Sequence, residues 1–152
     1  MTERPSSIER SLSGHRRVAL DSNVLIYLAE GASGRGDVAG HLVSALLEQS
    51  IEIVIASVGI SEVLTGPARA GDLAGFEALA DELRGMGLGV VALDPSIAED
   101  AAWLRGRAGL DLLDAIHIAS ARAAGATLFV TNDRGIRSVP QLEVLYLDDL
   151  VT

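Results

Sequence analysis

Val-Ala-Leu-Asp-Ser-Asn-Val-Leu-Ile-Tyr-Leu, residues Val18 to Leu28, is the stretch of sequence that decides the fold. Its first three residues form a short apolar run typical of a buried strand, and the residues from Ser22 onward predict a helix. Asp21 stands at the junction of the two elements. A strand that passes directly into a helix is typical of α/β proteins, so this stretch predicts a carboxylate at the end of a buried strand.

The same alternation of strands and helices continues along the chain. Apolar or β-branched runs predict five strands, at Val18–Leu20, Ile51–Ala56, Leu88–Leu93, Thr127–Val130 and Leu142–Leu147. The helices between them are predicted at Ser22–Glu30, at Val38–Gln49, from Ser57 to near Gly66-Pro67, at Asp72–Met86, from Asp94 to about Arg107 and at Asp111–Ala124. This order predicts an α/β fold, a five-stranded parallel sheet flanked by helices on both faces.

Length and composition favour a single domain with a substantial core. The chain has 152 residues, of which 49% are apolar, and it has no cysteine, which excludes disulfides, thiolate zinc sites and thiol nucleophiles. It has no signal peptide and no apolar stretch near the roughly 20 residues that span a membrane, so we expect a cytoplasmic protein without a membrane partner. Residues 1–16 are polar and predict a flexible arm ahead of a domain at 17–152.

The net charge of −9 argues against a protein that binds phosphate backbones through a basic surface. Two features weaken this argument. All 12 basic residues are arginine, which contacts phosphate in a bidentate manner better than lysine does. Part of the negative charge would also be neutralised if a metal ion bound among the carboxylates considered next.

Four carboxylates lie where predicted strands end or predicted helices begin. They are Asp21, Glu62, Asp114 and Asp133. In a parallel sheet, ligands bind at the carboxyl ends of the strands, so these side chains are expected to converge there. Carboxylates are costly to crowd together unless a positive charge lies between them. Because oxygen ligands suit hard divalent cations, the pattern predicts a site for Mg²⁺ or Mn²⁺.

Each of these residues also has an ordinary structural interpretation. Asp21 could cap the following helix, Glu62 could face solvent, and Asp133 lies in a sequence that favours an Asx-turn. Asp114 is harder to explain, because its apolar neighbours leave little solvated surface and a buried charge needs a partner. A histidine on an apolar helix face is usually a packed core residue, and this is the interpretation for His117.

Four motifs together resemble the PIN domain. They are Leu-Asp-Ser-Asn-Val-Leu-Ile-Tyr-Leu around Asp21, Ser-Glu-Val-Leu around Glu62, Leu-Asp-Ala-Ile-His-Ile-Ala-Ser-Ala around Asp114 and Thr-Asn-Asp-Arg-Gly around Asp133. The compact size is similar to that of the VapC-type toxins of bacterial toxin–antitoxin pairs. The resemblance covers residues 17–150. The family usually begins its first strand within a few residues of the start, whereas here a 16-residue arm precedes it.

The resemblance implies a ribonuclease that depends on Mg²⁺ or Mn²⁺ and hydrolyses RNA phosphodiester bonds with a metal-activated water. It implies that the four acids form the catalytic and metal-binding quartet, that Thr131 positions water, and that the protein acts with a second copy and a cognate antitoxin. Asn23 is a further supporting candidate, and Arg134 is a candidate phosphate contact. The target RNA is not predicted, because most of the five aromatic residues, Trp103 included, are expected to pack in the core or in a groove.

Other functions remain open at this stage. A phosphatase of the haloacid dehalogenase type needs a second Asp two residues after its nucleophile and a lysine, but the second position is Asn23 and the chain has no lysine. A non-catalytic PIN-like RNA-binding module is a stronger alternative, although such modules typically lose one or more of the acids. A housekeeping RNA-processing nuclease would share the same residues. Metal titration and an RNA cleavage assay distinguish these possibilities.

Overall fold

Five parallel strands form a single sheet in the order β3-β2-β1-β4-β5. The structure is a computed structural model that describes residues 4–31 and 34–150. The strands are β1 (Arg17–Leu20), β2 (Glu52–Ala56), β3 (Gly89–Val91), β4 (Leu128–Thr131) and β5 (Glu143–Tyr146). The predicted five-stranded parallel sheet is therefore confirmed.

Helices connect the strands and cover the sheet. They are α1 (Ser7–Leu12), α2 (Ser22–Glu30), α3 (Arg35–Glu48), α4 (Ser57–Arg69), α5 (Leu73–Gly85), α6 (Pro95–Ala108) and α7 (Leu112–Ala123), followed by a 3₁₀ turn at Leu147–Asp149. None of the helices among residues 4–31 and 34–150 is long and apolar enough to cross a membrane. The prediction that α4 ends near Gly66-Pro67 is wrong, because Pro67 is accommodated near the end of a helix that continues to Arg69.

The two faces of the sheet contribute to two separate hydrophobic cores. Because successive side chains of a strand point to opposite faces, Val18 and Leu20 pack with α1 to α5, whereas Ala19 packs with α6 and α7. The same alternation appears in β4, where Leu128 contributes to the first core and Phe129 to the second. Helices thus cover both faces, and polar side chains that follow the strands are gathered at the open carboxyl edge.

Part of the predicted N-terminal arm is helical. Residues 7–12 form α1, whose Ser6 and Glu9 make a capping box: each side chain accepts a hydrogen bond of 3.1 Å from the other's backbone N–H. Ile8 and Leu12 lie one turn apart and are almost fully buried. The segment folds because these two apolar side chains reach the first core. The flexibility of the arm and the domain boundary at residue 17 stay predictions, and residues 1–3 lie outside the described part.

Truncation of Leu12 tests whether α1 is part of the folded domain. Leu12 is 1% exposed, and Leu47 on α3 is 58% exposed. We expect Leu12→Ala to lower the free energy of unfolding by about 2–4 kcal/mol, because the buried side chain leaves a cavity. The matched control Leu47→Ala should change it by less than about 0.5 kcal/mol. Urea denaturation of both variants measures this, and equal stabilities would mean that α1 is not docked in solution.

Trp103 is exposed, which corrects the expectation that it packs in the core or in a groove. It lies on α6 with 68% of its surface accessible, and the Arg107 guanidinium lies over its ring at 6.0 Å from the centroid. The buried face of α6 is formed instead by Ile97, Ala101 and Leu104. Trp103 falls outside this stripe because it is not in helical register with these three residues.

Candidate metal centre

Asp21 is the most buried carboxylate of the site. It follows β1 and caps α2, since its Oδ1 accepts the backbone N–H of Ser22 at 2.8 Å. Its Oδ2 accepts the hydroxyl hydrogen of Thr131 at 2.8 Å. The side chain is almost inaccessible to solvent. Asp21 can therefore both cap α2 and belong to the site. Its Oδ1 accepts from the helix backbone, and its Oδ2 accepts from Thr131 on the neighbouring strand.

His117 connects Asp21 with Glu62. The Nε2 atom of His117 donates to Glu62 Oε1 at 2.6 Å and lies 3.6 Å from Asp21 Oδ1. Glu62 is carried by α4, which begins directly after β2, and His117 is carried by α7. One ligand atom from each of the three residues lies within 4.8 Å of the others. This buried cluster of Asp, Glu and His could bind a metal ion.

Asp114 belongs to the same acidic environment. It lies in the first turn of α7 and is half-buried. Burial, followed by the negative charges of Asp21, Asp133 and Asp111, raises the pKa of Asp114 to about 7, although the charge of His117 opposes the shift. A carboxyl group with a pKa near neutrality requires nearby negative charge or loss of water, and both are present here. Carboxylates are therefore crowded at this centre.

Asp133 is more exposed than the other three acids. It follows β4, and its Oδ1 accepts the backbone N–H of Gly135 at 2.8 Å, as in the predicted Asx-turn. Its own backbone N–H donates to Thr131 Oγ1 at 3.0 Å. Asp133 is thus linked through Thr131 to Asp21, and its charge contributes to the raised pKa of Asp114. The Asx-turn therefore uses only Oδ1 of Asp133, and Oδ2 takes no part in that turn.

Asn23 and Thr131 support Asp21. Thr131 is fully buried, and Asn23 Nδ2 lies 3.4 Å from both Asp21 Oδ2 and Thr131 Oγ1. The Oδ1 atom of Asn23 is buried and accepts no hydrogen bond from any residue that the structure describes. A buried oxygen atom without a donor is destabilising. This atom, together with the surrounding carboxylate oxygens, is a donor set that fits a hard divalent cation such as Mg²⁺ or Mn²⁺.

The three clustered ionisable groups have opposed pKa shifts. Burial raises the pKa of Asp21, against the opposing effects of His117, Thr131 and Ser22. The hydrogen bond from His117 lowers the pKa of Glu62 despite partial burial. Burial alone would lower the pKa of His117, but its bond to Glu62 and the charges of Asp21, Glu62 and Asp114 raise it. The two neighbouring carboxylates therefore hold the pKa of His117 above its ordinary value.

Two residues differ from their sequence-based interpretations. His117 is buried and hydrogen-bonded as expected of a core histidine, but its partner is Glu62, so it is a site residue that the sequence analysis missed. Its position one turn after Asp114 on α7 was the available signal. Arg134 donates two hydrogen bonds to Asp149, at 3.0 and 2.6 Å, and lies over the ring of Tyr146. A phosphate contact from Arg134 stays a prediction, and it would require the guanidinium to leave Asp149.

This fold and this acidic centre define an α/β protein of the PIN type. Residues 18–142 match the PIN domain family, and the chain belongs to that family. None of the curated proteins matches the sequence.

Three solved structures illustrate the structural likeness. A toxin–antitoxin complex from Klebsiella pneumoniae is 23% identical with a TM-score of 0.62, and the alignment covers 82% of this chain and 94% of that one. VapBC2 from Rickettsia felis, bound to a DNA fragment from its promoter, is 17% identical with a TM-score of 0.70, covering 86% and 98%. VapC20 from Mycobacterium tuberculosis, a toxin that cleaves the sarcin–ricin loop, is 17% identical with a TM-score of 0.59, covering 74% and 86%. The chain therefore shares its fold with VapC toxins of toxin–antitoxin complexes.

Proposed function

We propose that this chain is a metal-dependent endoribonuclease and the toxin of a toxin–antitoxin pair. The observation that carries the proposal is the acidic centre at the carboxyl edge of the sheet. There, one ligand atom each from Asp21, Glu62 and His117 lies within 4.8 Å of the others, and burial together with three neighbouring carboxylates raises the pKa of Asp114 to about 7. Membership of the PIN domain family and the likeness to VapC toxins support the choice of RNA hydrolysis.

The proposed metal ligands are the quartet Asp21, Glu62, Asp114 and Asp133, which would hold Mg²⁺ or Mn²⁺. When bound, such an ion lowers the pKa of a water molecule and stabilises negative charge on the phosphoryl oxygens. Attack of that water on phosphorus would leave 5′-phosphate and 3′-hydroxyl ends. The protein contributes oxygen atoms in a fixed arrangement. Because hydrogen bonds already hold these side chains, they bind and orient a ligand without further loss of their own conformational entropy.

The supporting residues orient the buried members of the quartet. Thr131 donates its hydroxyl hydrogen to Asp21 Oδ2, so it fixes one carboxylate oxygen in place. His117 does the same for Glu62 through a bond of 2.6 Å. Second-sphere partners of this kind set the direction of ligand lone pairs. Water positioning by Thr131 remains a prediction, and its hydroxyl hydrogen would first have to leave Asp21.

The proposed partners are a second copy of the chain and a cognate antitoxin. A groove of about 370 Å³ lies between α2, α4 and α5, with apolar side chains such as Ile26, Val63 and Leu79 and with Glu30 and Glu82 in its lining. An amphipathic segment that carries an arginine would suit such a groove. Two of the similar structures are described as a toxin–antitoxin complex and as VapBC2, which supports an antitoxin as the partner.

Cleavage of total RNA tests the proposed enzyme. We expect the purified protein to fragment RNA in Mg²⁺ or Mn²⁺ and to be inactive in EDTA. Isothermal titration with Mn²⁺ on the same preparation separates the alternatives. If neither metal binding nor RNA cleavage is detected, the non-catalytic PIN-like RNA-binding module becomes the better proposal.

Growth of the native host tests the proposed toxin role. We expect expression of the chain alone to slow growth, and co-expression of the small protein encoded beside it to restore growth. The Asp114→Asn variant is the control, because it removes one proposed ligand without changing side-chain volume. If soluble wild type and Asp114→Asn are equally harmless while the wild type cleaves RNA in vitro, a housekeeping RNA-processing role becomes the better proposal.

A further inference from the structure

An open cavity of about 530 Å³ adjoins the acidic centre. Its walls come from the end of α6, the loop between α6 and α7, the first turn of α7 and the turn that follows β4. The lining residues are Arg105, Gly109, Leu110, Asp111, Asp114 and Gly135. Asp114 therefore belongs both to this cavity and to the proposed metal-binding quartet, so a molecule in the cavity would lie beside the metal.

Arg105 supplies the positive charge of this cavity. Its Nη1 donates to the backbone carbonyl oxygen of Leu110 at 3.4 Å. Within residues 4–31 and 34–150 it forms no ion pair, although Asp111 and Asp114 line the same cavity. Five of the eleven other arginines are paired with carboxylates, namely Arg17, Arg35, Arg84, Arg122 and Arg134. The guanidinium of Arg105 thus remains available to an anionic ligand.

The backbone at Arg105 is fixed by the end of its helix. Gly109 adopts a left-handed conformation with φ 68°, and its N–H donates to the carbonyl oxygen of Arg105 at 3.1 Å. The preceding residue, Leu104, is buried in the second core. Arg105 therefore extends from a rigid point on the cavity wall, and little backbone entropy is lost when it binds a ligand.

We propose that Arg105 binds a phosphate group of the RNA strand and thereby positions the neighbouring phosphodiester bond at the acidic centre. This inference rests on the proposed ribonuclease function. An RNA strand carries one negative charge per phosphate and approaches a protein of net charge −9, so its backbone needs a local cation besides the metal. The planar guanidinium offers two parallel donors that match phosphate oxygens. Arg105 is better placed for this contact than Arg134, which is paired with Asp149.

RNA binding by charge-removal variants tests the role of Arg105. The matched control is Arg107→Gln, because Arg107 is also exposed on α6 but lies over Trp103 and does not line the cavity. The probe is a short fluorescein-labelled single-stranded RNA, and its anisotropy is measured in Ca²⁺ over a range of salt concentrations. RNA integrity is checked on a gel, and circular dichroism confirms that each variant is folded.

We expect Arg105→Gln to weaken RNA binding about tenfold, because a charge-assisted hydrogen bond to phosphate is lost. The slope of log K against log salt concentration should fall by about 0.7, the value for one contact to a single strand. Arg107→Gln should leave both quantities unchanged. In cleavage assays, Arg105→Gln should raise KM, and Arg105→Lys should recover part of the loss.

The two proposals fail in different ways. Equal binding by Arg105→Gln and Arg107→Gln, or no RNA binding by the wild type, overturns the assignment of Arg105 even if the wild type cleaves RNA. Arg105-dependent binding without any cleavage in Mg²⁺ or Mn²⁺ supports the phosphate site and overturns the proposed ribonuclease.

Discussion

Asp114→Asn is expected to lower the rate of RNA cleavage by more than about 100-fold while the fold is retained. The substitution preserves the volume of the side chain and removes the negative charge through which it would bind the metal. Asp114 lies in the first turn of α7 and is half-buried, so an amide can occupy the same space. Initial rates on a labelled RNA in Mn²⁺ measure the effect, and circular dichroism measures the fold.

The same substitution should stabilise the metal-free protein at alkaline pH. The pKa of Asp114 is about 7 in the folded state, against about 3.9 for an unfolded Asp. The folded state therefore binds the proton more tightly, and the free energy of unfolding of the wild type falls as pH rises from about 4 to about 7. Asn does not titrate, so Asp114→Asn should be more stable than wild type by about 1–2 kcal/mol at pH 8 in EDTA, with the difference vanishing near pH 4.

Asp37→Asn is the matched control for both measurements. Asp37 lies in the first turn of α3, as Asp114 does in α7, but it is exposed and is not one of the proposed metal ligands. We expect this control to cleave RNA at the wild-type rate and to show the wild-type dependence of stability on pH. Full cleavage activity of Asp114→Asn would rule out the assignment of Asp114 as a metal ligand.

Divalent metal is expected to stabilise the wild-type protein. A ligand that binds only the folded state raises stability by about 2.7 kcal/mol at a concentration 100 times its Kd. For a chain of this size, that corresponds to an increase in Tm of about 5–10 °C. Burial and mutual repulsion disfavour the charged carboxylates, as the raised pKa of Asp114 shows. A bound cation relieves this repulsion. Differential scanning fluorimetry with Mn²⁺ and with Mg²⁺ measures the shift.

The double variant Asp21→Asn, Asp114→Asn separates specific binding from screening. The increase in Tm should disappear in this variant, because two of the four proposed ligands are lost. Sodium chloride at matched ionic strength should give only a small change in either protein, since it screens charge without filling the site. An equal increase in the wild type and in the double variant would mean that the divalent ion acts elsewhere on the protein.

The fold follows from local sequence patterns to a large extent. The strands are short runs such as Val18 to Leu20, where apolar residues cover both faces of the sheet, and the helices between them carry periodic apolar stripes. α1 was missed because most of its surface is polar, and only the contacts of Ile8 and Leu12 with the first core decide that it folds. Its capping box, Ser6 with Glu9, was the local signal.

The site is less predictable than the fold, because it depends on contacts between distant parts of the sequence. The expectation that the four acids converge came from the ends of predicted strands and the beginnings of predicted helices, and their role as metal ligands stays a prediction. The bond between His117 and Glu62 joins residues 55 positions apart, so no local pattern encodes it. The pairing of Arg134 with Asp149 likewise depends on which side chains meet after folding. The same is true of the position of Arg105 in the cavity wall, where its guanidinium is available to an anionic ligand.

The order of the strands has a consequence for how the protein is made. β1 is central in the sheet, and its neighbour β4 supplies Thr131, which bonds to Asp21 across 110 positions of sequence. During synthesis, a chain that ends before β4 lacks both this support for Asp21 and the carboxylate of Asp133. Under the proposed function, nascent chains are therefore expected to be inactive until translation is almost complete. Truncated products that end before β4 should likewise show no RNA cleavage.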